Sequence, residues 1–90
     1  MAWTIEYSET AEKQLAKLDK PNARRIVDYM EKRIAPKPDP RSTGKALTGQ
    51  FSGLWRYRVG EFRVICEIQD NALRVLVAQL GARKEVYKRK

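Results

Sequence analysis

The stretch LWRYRVGEFRVICEIQDNALRVLVAQL, residues 54–80, decides the fold of this chain. It divides into three runs that are rich in β-branched and aromatic side chains and are interrupted by short turn signals. The runs are residues 54–59, 61–69 and 73–80. Runs of this composition predict β-strands, and the short spacing between them predicts an antiparallel meander. The third run is apolar at both alternating sets of positions, which predicts an interior strand covered on both faces.

A strand and a helix are predicted at the start of the chain. Residues 3–7, WTIEY, alternate apolar and polar side chains with the period of a half-buried strand. Ser8 is a suitable N-cap, because its hydroxyl can accept a backbone N–H of a first helical turn. Ala11, Leu15 and Leu18 then recur at helical spacing and predict the buried stripe of that helix.

A second helix and a loop connect this region to the meander. Pro21 fits the first turn of a helix, and the apolar face that follows consists of Ile26, Met30 and Ile34. Three prolines within residues 35–44 predict a loop. The order β-α-α-β-β-β predicts one α+β domain over residues 1–90, in which the N-terminal strand and the helical hairpin pack on one face of a small antiparallel twisted sheet.

The composition points to a polyanionic partner. The 90 residues include 19 Lys and Arg against 11 Asp and Glu, a net charge of +8. Such a charge favours nucleic acid or an acidic protein through long-range attraction and counterion release. The chain has no histidine and one cysteine, Cys66, so it has no internal disulfide and cannot assemble the His and Cys ligand sets of zinc or most transition metals. Carboxylates alone could hold Mg²⁺, but the acidic residues show no cluster at ligand spacing, so we expect no metal and no cofactor. Without a signal peptide or an apolar run of membrane length, we expect a soluble cytoplasmic protein with no membrane contact.

Alternation places the arginines of the meander on one face. Arg56 and Arg58 alternate with apolar residues in the first strand, and Arg63 does so in the second, so all three can converge on the open face of the sheet. Arg83 and Tyr87 follow the third strand and could reach the same rim. Two interpretations stay open, a face that keeps the protein soluble and a concavity in which arginines bind phosphate oxygens while a tyrosine stacks on a base.

Other polar and aromatic residues have simpler interpretations. Trp55 and Tyr57 are expected to pack in the core, with a stacking role as the alternative. Cys66 is expected to be a small buried hydrophobic residue rather than a nucleophile. Arg41 and Lys45 could bind nucleic acid or could be solvated loop charges.

Three segments of the chain resemble a known family. They are WTIEYSETAEKQLAKL (residues 3–18), KALTGQFSGLWRYRVGEFRVICEI (residues 45–68) and VLVAQLGARKEVY (residues 75–87). Together they resemble the RelE/ParE superfamily of bacterial type II toxin–antitoxin toxins and, within it, the RelE-like mRNA interferases. The order and separation of LWRYRVGEFRVI and GARKEVY are the most specific part of the match. The resemblance implies the RelE-like microbial RNase fold.

The resemblance also implies an activity and partners. RelE-like toxins are ribosome-dependent endoribonucleases that enter the A site and cut mRNA without a metal, by attack of a ribose 2′-OH on the adjacent phosphate, which inhibits translation. The implied partners are the ribosome, mRNA and a cognate RelB-like antitoxin, whose complex with the toxin binds operator DNA. Codon preference and complex stoichiometry are not encoded in recognisable motifs.

The resemblance assigns roles to individual residues. The implied catalytic residues are Arg58, Arg63, Arg83 and Tyr87, and the implied RNA-binding residues are Arg56, Lys45, Lys84 and Lys88. Arginines would stabilise charge on the phosphoryl oxygens and the leaving 5′-oxygen, and the tyrosine would stack on a base or accept a proton.

The chain departs from the family pattern in the side chains that could act as a general base. RelE has lysines where this chain has Arg56 and Arg58, and some relatives have histidine at the position of Ala82. Because arginine stays protonated, neither arginine can act as a general base. The identity of the base is open, and so are two other functions, a ParE-like toxin of the same fold that poisons DNA gyrase and a non-catalytic basic module that binds nucleic acid.

Overall fold

A five-stranded sheet with two helices on one face forms the part of the chain that the computed structural model describes, residues 2–82. The strands are β1 (Thr4–Tyr7), β2 (Lys45–Ala46), β3 (Trp55–Val59), β4 (Phe62–Gln69) and β5 (Arg74–Ala82); the helices are α1 (Glu9–Lys17) and α2 (Lys20–Asp28). A π-helical turn, Tyr29–Ile34, directly follows α2. The strand order across the sheet is β1-β5-β4-β3-β2. No helix within residues 2–82 is long and apolar enough to cross a bilayer.

The predicted meander is confirmed. β3 pairs with β4 and β4 with β5, both antiparallel. Val59 is opposite Phe62, so a two-residue turn joins β3 and β4, and Gly60 in that turn has a φ of +60° that glycine adopts without strain. β5 is an interior strand as predicted, but β4 occupies the middle of the sheet and is the strand with fully buried side chains on both faces, Val64 and Ile65.

Two features of the sheet differ from the prediction. The sheet is mixed rather than wholly antiparallel, because β1 pairs in parallel with β5, with Ile5 opposite Val75. A parallel partner requires a long crossover connection, and the residues between β1 and β5 supply it. The additional strand β2 has two residues, with Lys45 opposite Arg56, and a segment that short shows no hydrophobic period.

The predicted helix starts are confirmed by their capping hydrogen bonds. Ser8 Oγ accepts the N–H of Ala11 at 3.0 Å and donates to the carbonyl oxygen of Ala78 at 2.7 Å. Ser8 therefore both caps α1 and ties it to β5. Asp19 caps α2 by accepting the N–H of Asn22.

The core lies between the helices and one face of the sheet. Its fully buried helical side chains are Ala11, Ile26, Met30 and Ile34, as the helical spacing predicted, whereas Leu15 and Leu18 of the predicted stripe are only partly buried against it. Across from them lie the inward-facing residues of the strands, which are Tyr57, Val59, Val64, Cys66, Val75, Val77 and Leu80. The opposite face of the sheet is the one that carries the arginines of β3 and β4.

The loop predicted at residues 35–44 packs against β3. Tyr57 is buried and donates its hydroxyl to the carbonyl oxygen of Pro40 at 2.7 Å, and Trp55 Nε1 donates to the carbonyl oxygen of Thr43 at 2.7 Å. The structural roles predicted for Trp55 and Tyr57 are thus confirmed. Gly44 ends the loop with a φ of +84°, and a Cβ there would meet the backbone of Arg56 and lie 2.6 Å from Trp55 Nε1.

Candidate active site

Four basic side chains lie in a row across β2, β3 and β4, on the face of the sheet opposite the helices. Lys45 is opposite Arg56 in the β2–β3 ladder, and Arg58 is opposite Arg63 in the β3–β4 ladder. Directly opposed residues of an antiparallel pair project from the same face, as do residues two apart on one strand. We call Lys45, Arg56, Arg58 and Arg63 the basic row.

The basic row is exposed at one end and buried at the other. Lys45 and Arg58 are exposed and Arg56 is half-buried, whereas Arg63 is only 6% exposed. Ile65, two residues further along the same face, is fully buried. The expectation of an open face therefore holds around Arg58 and is wrong around Arg63.

The surroundings of Arg63 are set by its neighbours in the sheet. Arg63 lies between Arg58 on β3 and Gly81 on β5. Glycine at position 81 places no side chain beside the guanidinium. A cation held among strands in a low-exposure position is preorganised, and its field acts with less screening than that of a surface arginine.

The predicted site residues divide into two groups. The structure brings Arg56, Arg58, Arg63 and Lys45 together in the basic row. The other predicted residues, Arg83, Lys84, Tyr87 and Lys88, lie outside the described residues. Within residues 2–82, no cluster of three or more His, Cys, Asp or Glu residues is placed to hold a metal ion.

Arg41, considered from the sequence as a possible nucleic-acid contact, is engaged in an exposed ion pair with Asp70. Its Nη1 and Nη2 donate to Oδ1 and Oδ2 of Asp70 at 3.0 and 2.8 Å. This forked hydrogen bond lowers the pKa of the Asp70 carboxyl below its usual range. The pair joins the loop after the π-helical turn to the β4–β5 connection, which sequence spacing could not reveal.

Cys66 is not a nucleophile in this fold. Its side chain is fully buried in the core, and desolvation raises the pKa of the thiol far above neutrality. The thiolate, which is the reactive form, is therefore absent at physiological pH. The prediction of a small buried hydrophobic residue is confirmed.

Three basic residues near α2 were missed in the sequence. Arg25, Lys32 and Arg33 line a depression together with Arg58 of the basic row. The signal was present, because Lys32 and Arg33 follow Arg25 by seven and eight residues and so fall on one helical face. Their proximity to β3 depends on how the helix packs on the sheet.

The family of ParE toxins of type II toxin–antitoxin systems, parDE, matches residues 5–87. Toxin RelG of Mycobacterium tuberculosis is 25% identical over 89 residues, which cover 99% of this chain and 100% of that protein.

Solved structures show the same fold. The toxin–antitoxin complex RelBE2 of Mycobacterium tuberculosis superposes with a TM-score of 0.84 at 22% identity, over 94% of this chain and 95% of that one. The archaeal RelE–RelB complex of Pyrococcus horikoshii has a TM-score of 0.64 at 23% identity, over 96% and 100% of the two chains. These similarities confirm the predicted α+β class and its RelE-like architecture.

Proposed function

The chain belongs to the family of ParE toxins of type II toxin–antitoxin systems, and we propose that it is a ribosome-dependent endoribonuclease that cleaves mRNA in the A site. The observation that carries this proposal is the basic row, in which Arg58 and Arg63 project side by side from adjacent strands. Cleavage would inhibit translation and would take place in the cytoplasm.

The reaction we propose is an internal transfer of the phosphoryl group. The ribose 2′-OH attacks the adjacent phosphorus, a 2′,3′-cyclic phosphate forms, and the bond to the 5′-oxygen of the next nucleotide breaks. Negative charge develops on the phosphoryl oxygens, and donors aimed at it lower the barrier. Arg58, which is exposed, binds the phosphate, and Arg63, which is buried beside it, supplies a fixed positive field.

Two further roles fall to residues outside the described part of the chain. We propose that Arg83 stabilises or helps to protonate the leaving 5′-oxygen and that Tyr87 stacks on a base or accepts the 2′-OH proton. Arg56 and Arg58 cannot accept that proton, because a guanidinium stays charged at neutral pH. Lys84 and Lys88 are proposed to bind RNA phosphates.

The proposed partners follow from the relatives. The RelBE2 and archaeal RelE–RelB structures are complexes of toxin and antitoxin, which supports a cognate RelB-like antitoxin for this chain. We propose that the antitoxin neutralises the toxin and that the complex binds operator DNA through the antitoxin.

The test is to map RNA 5′ ends by primer extension after brief induction of the chain. The comparison uses Arg58→Ala and Arg83→Ala, with Arg74→Ala as the control, since Arg74 pairs with Glu6 at the far end of β5 rather than joining the basic row. We expect cuts in translated mRNA that follow the codon register, retained with the control and lost with the other two. Growth arrest without such cuts would contradict the proposal.

A second function is favoured by two findings. The family that matches the chain is that of ParE toxins, and the notable burial of Arg63 limits direct contact between its guanidinium and a substrate. Poisoning of DNA gyrase would then replace RNA cleavage. It predicts DNA breaks and growth arrest that Arg58→Ala leaves intact, with no new 5′ ends in mRNA.

A further inference from the structure

A basic groove runs between the C-terminal part of α2 and the turn that joins β3 to β4. It has a volume of about 440 Å³. We call it the α2 groove, and its lining residues are Arg25, Asp28, Tyr29, Lys32, Arg33, Arg58, Val59 and Gly60. Four of these residues are cationic, and among the described residues that line it Asp28 alone carries a carboxylate. The groove is therefore strongly electropositive.

The α2 groove is continuous with the basic row. A neighbouring depression of about 240 Å³ includes Lys45 and Arg56 in its lining, and Tyr29 and Arg58 line both depressions. A chain of phosphates leaving the basic row at Arg58 would thus enter the groove without crossing an acidic surface. The two depressions together present six cations along one path.

Arg25 packs against the β3–β4 turn, and the cations of the groove are not neutralised by described carboxylates. A Cβ at Gly60 would lie 2.9 Å from Cζ and Nη1 of Arg25, so the guanidinium lies close to the backbone of this turn. The ion pairs within residues 2–82 use Lys13, Arg41 and Arg74, and none of them involves Arg25, Lys32 or Arg33.

An aromatic ring lies where the two depressions meet. Tyr29 is half-buried, and its ring centroid is 6.3 Å from that of Tyr57, at an interplanar angle of 57°. The ring thus packs against the core and also lines both depressions. Tyr29, Lys32 and Arg33 all belong to the π-helical turn, and π-helical distortions frequently occur at functional sites.

We propose that the α2 groove binds the phosphate backbone of unpaired RNA that extends beyond the basic row, with Tyr29 as a stacking surface for one base. Cations interleaved with an aromatic ring are the combination that binds single strands. A folded protein partner would need a desolvated apolar centre, and apart from the Tyr29 ring the groove offers only Val59. The choice of RNA rests on the proposed function, but binding in the groove requires no cleavage.

The test compares two triple variants of equal net charge. Arg25→Gln, Lys32→Gln and Arg33→Gln remove the groove cations that lie outside the basic row. The control variant carries Lys13→Gln, Lys17→Gln and Lys20→Gln. These changes remove two exposed lysines of α1 and the exposed lysine that begins α2, and none of the three lines the groove. Binding of the purified full-length chain to a fluorescein-labelled 2′-O-methyl RNA of about 12 nucleotides is measured over a series of KCl concentrations.

We expect the groove variant to lose affinity by about tenfold or more at low salt, and the slope of log K against log salt to fall by about 2 units, since each phosphate contact on a single strand contributes about 0.7. The control variant should retain most of the affinity at low salt and most of the salt slope. Equal losses in the two variants would overturn the proposal in favour of net charge alone, as would an unchanged slope in the groove variant. Binding of fluorescein-labelled poly-glutamate, without measurable binding of the RNA, would overturn it in favour of an acidic protein.

Tyr29 is tested separately because it also packs against the core. Tyr29→Phe keeps the ring and should bind like the parent, whereas Tyr29→Leu should weaken binding about fivefold or more, as expected for a lost stacking platform. Thermal unfolding of both variants checks the fold. Unchanged binding by a folded Tyr29→Leu variant would exclude the stacking role.

The 2′-O-methyl RNA lacks the attacking hydroxyl, so this experiment does not depend on catalysis. Groove binding without codon-register cuts in cells would refute the proposed nuclease and leave the groove assignment standing. Codon-register cuts together with identical salt slopes for the two triple variants would refute the groove assignment and leave the proposed nuclease standing.

Discussion

Arg58 and Arg63 lie directly opposite each other on β3 and β4. Like charges at directly opposed positions of an antiparallel pair destabilise the sheet. Here Arg58 is exposed, whereas Arg63 is 6% exposed. A phosphate that binds Arg58 therefore also lies in the field of Arg63, and its negative charge offsets the direct repulsion between the two guanidinium groups. The pairing thus favours binding of a phosphate at Arg58.

Replacing Arg58 by Gln is expected to stabilise the fold and abolish the proposed activity. Loss of the repulsion should raise the free energy of unfolding by a few tenths of a kcal/mol, while loss of one donor to the phosphoryl oxygens should reduce cleavage by about 100-fold or more. Urea denaturation and primer extension measure the two effects. Arg74→Gln, which breaks the pair with Glu6, is the control and should not stabilise. A destabilised Arg58→Gln variant would contradict the assignment.

Inorganic phosphate should raise the melting temperature through the same pair. An anion at about ten times its dissociation constant contributes about 1.4 kcal/mol, which corresponds to roughly 7 °C for a domain of this size. Differential scanning fluorimetry in phosphate and in chloride at equal ionic strength measures the shift. The shift should shrink markedly in Arg58→Gln, and an equal shift in that variant would show that phosphate acts elsewhere.

Gly44→Ala is expected to destabilise the protein more than Gly49→Ala. Both glycines have positive φ, +84° and +67°, so each alanine costs about 1 kcal/mol in backbone strain. Only at Gly44 would the new Cβ also collide with the backbone of β3 and with Trp55. We expect a total loss of about 3 kcal/mol at Gly44, measured by urea denaturation. Equal losses at the two positions would mean that the loop shifts freely away from β3.

Stability should fall in alkali because Tyr57 is buried. Desolvation raises the pKa of its hydroxyl above the ordinary tyrosine value. Above about pH 10 the unfolded chain therefore releases the Tyr57 proton while the folded protein retains it, and the free energy of unfolding decreases as pH rises. The protonated Tyr57 hydroxyl therefore makes its full contribution to the free energy of unfolding below about pH 10.

Tyr57→Phe separates this effect from the hydrogen bond to Pro40. The variant should be less stable at pH 7 by about 1–2 kcal/mol, because the carbonyl oxygen of Pro40 loses its donor. Between pH 10 and 11, the free energy of unfolding of Tyr57→Phe should decline less steeply than that of the parent protein. The two slopes should differ by up to about 1.4 kcal/mol per pH unit, which corresponds to one proton. Urea denaturation across this pH range measures the slope. Parallel slopes for the two proteins would place the alkaline transition at other groups.

Much of the fold was predictable because its determinants are local. The strands of the meander, the cap at Ser8 and the buried face of α2 each follow from residues close in sequence. The face shared by Arg56 and Arg58 follows from the period of a strand alone. Alternation across the tight turn at Gly60 added Arg63 to that face, and the motifs of the toxin family added the catalytic roles expected of these arginines.

Other features of the site could not be predicted, because they depend on register and on contacts between distant segments. Alternation placed Arg63 on the face away from the helices, but its burial depends on what packs around β4. Arg41 looked like a free loop charge until the fold brought it to Asp70, 29 residues away. Arg25 belongs to the groove because α2 packs its guanidinium on Gly60.

The sequence by itself determined which segments are strands and helices, which side chains face the core, and the excess of positive charge, since these properties arise from local backbone preferences and composition. The tertiary structure alone decided that β1 joins β5 in parallel, that Arg41 pairs with Asp70, and that Arg25, Lys32 and Arg33 extend the basic row. Those relationships join residues far apart in the chain, and only the packing of helices and strands on a common core sets their distance.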